Sequence, residues 1–163
     1  QDTIEENIRM GNTKATKEEI IKVAKMARCH DFIEELEQGY QTKIGDKGVF
    51  LSKGEAQRVS IARALLKNAS ILILDEATAY ADAENELYIQ QAIGELVKDK
   101  TVLIVAHRLW TIQNAHQIVV IDQGKIIEQG THQTLLNKQG MYERLWAINA
   151  KSEEWKIKEE QYA

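Results

Sequence analysis

Two acidic residues stand at the end of an apolar run. The run is "ILILD", residues 71–75, and Glu76 follows Asp75 directly. In open α/β sheets, ligands bind beyond the carboxyl ends of the strands, which is where these carboxylates would lie. Carboxylates are costly to desolvate without a counter-charge, so a hard cation is a natural partner. Capping of the next element by Asp75 is the structural alternative. A second apolar run, "TVLIVA" at 101–106, ends in the same way on His107. A lone histidine after a strand can equally be structural. The three groups would line one rim if the two strands are neighbours.

A further candidate is "LSKGE", which begins at Leu51. Ser52 and Glu55 fit the S-x-x-E pattern of a capping box. A helix N-terminus also carries roughly half a positive charge and unpaired N–H groups, which suit an anion. Gly54 would let another molecule approach the backbone, Ser52 offers a hydroxyl and Lys53 adds charge. From these residues alone, both cap and phosphate site remain open. The loop G-x-x-x-x-G-K-[ST], whose backbone N–H groups and lysine hold nucleotide phosphates, does not occur. The only Gly-Lys pair, Gly124-Lys125, lacks the upstream glycine and the following Ser or Thr.

These residues need elements to position them. "DTIEENIRMG" (2–11) reads as a short helical turn, with a Thr3/Glu6 capping box and a stop at Gly11. Thr16 and Glu19 open a second helix, in which Ile20, Val23, Ala24 and Ala27 recur at helical spacing. A third helix is expected from Asp31 to Gln38, ended by Gly39. After the loop "YQTKIGDKGVF", a helix over 53–67 carries Ala56, Val59, Ala62 and Leu66 on one side. The pattern then changes. The 71–75 and 101–106 runs read as strands buried on both faces, separated by an amphipathic helix at 83–98. A short helix near 109–114, a hairpin of 117–122 with 125–130, a helix capped by Thr131 and another from Gly140 complete the chain. The tail 151–163 mixes both charge signs and reads as a solvated helix or frayed end.

Strand, helix and strand in succession imply α/β architecture with a parallel core. Two parallel strands and one hairpin make a thin sheet, so part of the sheet is expected to lie outside these residues. The chain starts at Gln1 and reads as a piece of a longer one. Its 163 residues suffice for one ordinary core. A net charge of −4 argues against a general nucleic-acid binder. The single cysteine, Cys29, excludes a disulfide framework and a multi-cysteine zinc site, and is expected to be a small buried side chain. No window reaches the length of about 18–20 apolar residues that spans a bilayer.

The order of these motifs is specific. "LSKGEAQRVSIARALLKNASILILDEATAYAD" followed by "IVAHRL" resembles the C-terminal part of an ABC-transporter nucleotide-binding domain. LSKGE is similar to the family signature LSGGQ, ILILDE to the Walker B strand with its glutamate, and AYAD to the D-loop. His107 matches the switch histidine. "DTIEENIRMG", "TKIGDKG" and "IIEQGTHQTLL" are similar to the exporter branch. The resemblance implies a partial P-loop NTPase (RecA-like) parallel sheet joined to an ABC helical subdomain. The corresponding boundaries are 1–68 for the helical subdomain with the signature, 69–150 for part of the ATPase core and 151–163 for a charged tail. The Walker A loop, the Q-loop and the adenine-stacking aromatic are expected upstream.

The resemblance also implies roles. Asp75 would help hold Mg²⁺ through water, Glu76 would polarise the attacking water, and His107 would contact the γ-phosphate. Ser52, Lys53, Gly54 and Glu55 would face an ATP carried by the opposite subunit of a head-to-tail dimer, with Asp82 of the D-loop at that interface. The segment around Asp46 would touch the coupling helices of a transmembrane domain, which would place this ATPase on the cytoplasmic face of a membrane. Lys53 and Glu55 depart from the family's Gly and Gln, and Ala79 and Tyr80 from its Ser and Ala. The chain alone is expected to bind ATP poorly, to lack turnover, and to associate through exposed apolar surface. The other functional class is a non-catalytic interaction module that completes a partner's ATP site.

Overall fold

The structure is a computed structural model that describes residues 2–45, 48–75, 83–106 and 108–149. The chain divides into two compact units, residues 1–103 and 104–163. The first is mainly helical. Helix α1 (Ile4–Arg9) is capped by Thr3, whose hydroxyl accepts from the Glu6 N–H at 3.1 Å. The expected return bond from Glu6 is replaced by an ion pair with Arg9 at 3.4 Å. Helix α2 (Lys17–Met26) has a complete capping box between Thr16 and Glu19. Helix α3 is shorter than expected, His30–Glu35, and a 3₁₀ turn over Gly39–Gln41 follows it. Helix α4 (Lys53–Lys67) ends on Asn68 in the left-handed region, which Asn tolerates at a helix C-terminus.

Helix α4 is the post around which this unit is built. It packs against α1, α2 and α5 (Ala83–Val97). Its apolar side supplies Val59, Ile61, Ala62 and Leu65 to a core with Ile4, Ile8, Ile20, Ile33, Ile89 and Leu96. Each fully buried side chain of this size contributes about 1.5–3 kcal/mol. Arg63 ties α4 to α1 by donating to the Asn7 carbonyl at 2.7 Å and to its side-chain oxygen at 3.1 Å. Gly11 allows the close approach: a Cβ there would stand 2.3 Å from the Arg63 carbonyl oxygen. Cys29 is buried in the same core, its thiol donates to the Ala24 carbonyl at 3.4 Å, and desolvation pushes its pKa up to about 12.

Strand β1 (Ile71–Asp75) pairs with β2 (Thr101–Val105) in a small parallel sheet, with α5 as the crossover. The expectation that these runs are buried on both faces is not met. Leu72 is 8% exposed and joins the helical core, whereas Ile71 and Ile73 on either side are 66% and 70% exposed. Leu103, Ile104 and Val105 are exposed as well. Alternate side chains of a strand point to opposite faces, and in β1 the described helices cover one of them, whereas in β2 only Val102 packs against the core. An unbroken apolar run has the same letters whether one face is covered or two.

The second unit is built on the hairpin of β3 (Ile118–Asp122) and β4 (Lys125–Gly130), which pair antiparallel with an irregularity at Val120/Ile121. Gln123 and Gly124 form its two-residue turn, both with positive φ (47° and 75°), as a tight right-twisted hairpin requires. Ile118 and Val120 pack with Leu135 of α6 (His132–Asn137) and with Tyr142 of α7 (141–149). Glu128 holds the start of α7: its carboxylate accepts from the Met141 N–H at 2.7 Å and the Tyr142 N–H at 3.0 Å. Gly140 makes room, since a Cβ there would overlap the Glu128 carboxylate at 1.8 Å.

The Tyr142 and Met141 hydrogen bonds lower the Glu128 pKa below its ordinary 4.5. The unfolded chain therefore binds the proton more readily. The stabilisation is complete above pH 4.5 and is lost as pH falls from there through the lowered folded value. In Glu128→Gln, the protection of the Met141 and Tyr142 amides against hydrogen exchange should lose this acid dependence, whereas in the wild type it should weaken on acidification.

Candidate functional site

The Ser52–Glu55 segment forms the N-terminus of α4 and is held by its own hydrogen bonds. The Ser52 hydroxyl accepts from the Glu55 N–H at 3.2 Å, and the Glu55 carboxylate accepts from the Ser52 N–H at 2.8 Å. The capping reading is therefore observed. It leaves the Ser52 O–H proton available, because a hydroxyl has one donor as well as its acceptor lone pairs. Ser52 and Lys53 are exposed, while Glu55 is half-buried and turned back on the cap. The negative charge of Glu55 is thus engaged by a backbone donor at the positive end of the helix.

Gly54 is buried, and the reason is packing. A Cβ at this position would lie 2.8–2.9 Å from the Cγ, Cβ and Oδ1 atoms of Asn85 on α5. Asn85 is in turn held by Arg58, whose Nη1 donates to the Asn85 side-chain oxygen at 2.6 Å. Arg58 is 5% exposed, and its guanidinium carbon lies 5.2 Å from the Phe32 ring centroid and 5.3 Å from that of Tyr88. Neither Arg58 nor Asn85 belongs to a motif visible in the sequence. A signal was present: Arg58 falls in the helix beside Val59 and Ala62, where a charged residue is buried only when something holds it.

Asp75 sits at the carboxyl end of β1 with its residue exposed. An exposed carboxylate suits Mg²⁺, which keeps several of its waters and takes one or two protein oxygens. Glu76, Asp82, His107 and Asp46 lie outside the described residues. Among the described residues, no group of three or more His, Cys, Asp or Glu side chains is arranged to hold a metal ion. No helix among them is long and apolar enough to cross a membrane.

A helical unit carrying a capped Ser-Lys-Gly-Glu turn, followed by a parallel β-α-β pair whose first strand ends on an acidic residue, matches a nucleotide-binding-domain type of α/β fold. The comparisons agree. The ABC transporter family model matches residues 1–79. A Staphylococcus aureus protein (strain NCTC 8325 / PS 47), named as a candidate multidrug export ATP-binding/permease protein, is 56% identical over 147 residues. That match covers 90% of this chain and 25% of the relative, and the counterpart in strain Mu50 / ATCC 700699 matches equally. The solved structure of a bacterial Atm1-family ABC exporter with ATP bound superposes with a TM-score of 0.82 at 44% identity, covering 91% of this chain and 26% of that one. The chain belongs to the ABC transporter family, as part of its nucleotide-binding domain. It spans about a quarter of the length of the relatives it matches.

The cap has a measurable weight. Ser52→Ala should destabilise α4 by about 1 kcal/mol, and Ser52→Thr, which keeps the oxygen, by less than about half of that. Thermal unfolding of the protein followed by circular dichroism checks both values.

Proposed function

We propose that this chain supplies the signature half-site and the strand-end acids of an ATP-hydrolysing domain in an ABC exporter. The observation that carries the reading is the turn at Ser52. Its hydroxyl accepts the Glu55 N–H and keeps its own proton for an incoming acceptor, on the positive end of a 15-residue helix. The γ-phosphate of an ATP carried by the opposite subunit is the anion that fits. Ser52 donates to it, Lys53 adds charge beside it, and Glu55 keeps the turn rigid.

Asp75 would hold Mg²⁺ through water at the end of β1. The cation would neutralise charge on the phosphates. Glu76, next in the chain, would take the proton of the attacking water as general base, and His107 at the end of the β2 segment would orient that water and the γ-phosphate. Asp82 would act at the interface of a head-to-tail dimer. Little covalent chemistry is asked of the protein, so positioning and electrostatics supply most of the rate.

Coupling to a transmembrane domain is proposed for the segment around Asp46. A groove of about 390 Å³ adjoins Gly45, lined by the polar Asp2 and Asn7 and by Met10, Ile44, Val49, Phe50, Leu51 and Ala56. Phe50 projects there with 77% of its surface exposed. A groove that combines apolar side chains with an acid and an amide suits an amphipathic helix. The domain would then sit on the cytoplasmic face of the membrane.

Mg-ATP hydrolysis by the full exporter that contains this domain tests the reading. Glu76→Gln should lower kcat by about 10²-fold or more, as expected for loss of a general base. Unchanged turnover in that variant would overturn the assignment. Calorimetry of residues 1–163 alone should show no micromolar Mg-ATP binding, because these residues contain no G-x-x-x-x-G-K-[ST] loop.

A further inference from the structure

We propose that Asn85 is the positioning residue of the Ser52–Glu55 turn, keyed into the space above Gly54 and locked there by the buried Arg58; this rests on the reading of Ser52 as a phosphate contact. The constraint begins at Gly54. Its missing side chain does not leave an open backbone: the Asn85 side chain fills the place, with three of its atoms 2.8–2.9 Å from where a Cβ would be. Such contact leaves no room for lateral displacement of the first turn of α4 against α5.

The key itself is fixed. The short bond from Arg58 Nη1 to the Asn85 oxygen sets the orientation of the amide. Arg58 cannot swing to follow another partner cheaply, because its guanidinium lies near the rings of Phe32 and Tyr88 and is withdrawn from water. Arg58 is on the same helix as Ser52, one turn beyond Gly54, while Asn85 is on α5. Helix α5 starts at Ala83, directly after Asp82, so any shift of that chain segment is passed to Ser52 through this key. Asn85 thus acts through Ser52.

A packing role alone and a positioning role differ in what they change. The test uses the full exporter in lipid vesicles, with Mg-ATP as the probe, and reads kcat and KM per folded molecule together with the unfolding midpoint. Asn85→Gly should lower kcat about fivefold with KM changed less than about twofold, the size expected for a contact of this kind. Asn85→Asp keeps an oxygen toward Arg58 and should stay within about twofold of the wild type. Gly54→Ala should lose activity, and adding Asn85→Gly should return it to the level of Asn85→Gly alone.

Failure of that rescue would show that Gly54 is needed for something other than Asn85, and would overturn the proposal. A lower unfolding midpoint in Asn85→Gly with unchanged kcat would also overturn it, since the contact would then be structural only. A wild-type exporter without Mg-ATP hydrolysis would instead sink the functional reading. In that case the positioning role falls with it, and the unfolding midpoints of the Gly54→Ala and Asn85→Gly cycle separate the two failures: non-additive shifts leave a packing contact only, and additive shifts refute the contact as well.

Discussion

A guanidinium withdrawn from water needs partners, and three helices of the first unit supply those of Arg58. Phe32 and Tyr88 offer ring faces to the buried Arg58 guanidinium, and Asn85 offers it an oxygen. Its Nε has no hydrogen-bond partner among the described residues. An unmet buried donor costs about 1–3 kcal/mol. Two desolvated ring contacts return roughly 0.5–2 kcal/mol each. The balance is close, so the arrangement tolerates little movement. Three helices are fixed by one side chain: α3 through Phe32, α4 through Arg58 itself, and α5 through Asn85 and Tyr88.

The signature turn inherits this rigidity. Ser52 and Glu55 satisfy each other's backbone, which sets the turn's internal shape, but a capping box says nothing about where the turn stands. Its placement comes from Gly54, which lets the Asn85 side chain press against the backbone. Lys53 and Glu55, the two departures from the family signature, fall on the outward and cap-facing positions of this turn. Glu55 retains the capping function that a glutamine would also serve, so the substitution preserves local structure while changing charge.

The sheet shows the opposite situation. Leu72 is held in the helical core, yet Ile71 and Ile73 carry apolar surface into the open on the other face of β1. The outer residues of β2 do the same, and Val119, Ile121, Ile126 and Ile127 do so on the hairpin. On each unit taken by itself, exposed apolar side chains of this sort mark surface suited to cover by a further layer. This agrees with a chain that spans about a quarter of its relatives' length.

Much of this was legible in the residues. Helix starts at Thr3, Thr16, Ser52 and Thr131 could be read because a cap is a local device, decided by a few neighbours in sequence. The hairpin turn at Gln123-Gly124 was legible for the same reason, and the order of LSKGE, ILILDE and the later IVAHRL was enough to point to the family. Tertiary structure decided what depends on neighbours far along the chain. The roles of Arg58 and Asn85 are set by residues 27 positions apart, and no local pattern links them. Which face of ILILD is covered depends on where α5 returns, because a strand's letters record its hydrophobicity but not the side from which cover arrives. Even Gly54, read from sequence as an opening for a ligand, proves to be occupied by a side chain, since only packing determines what fills the space a missing Cβ leaves.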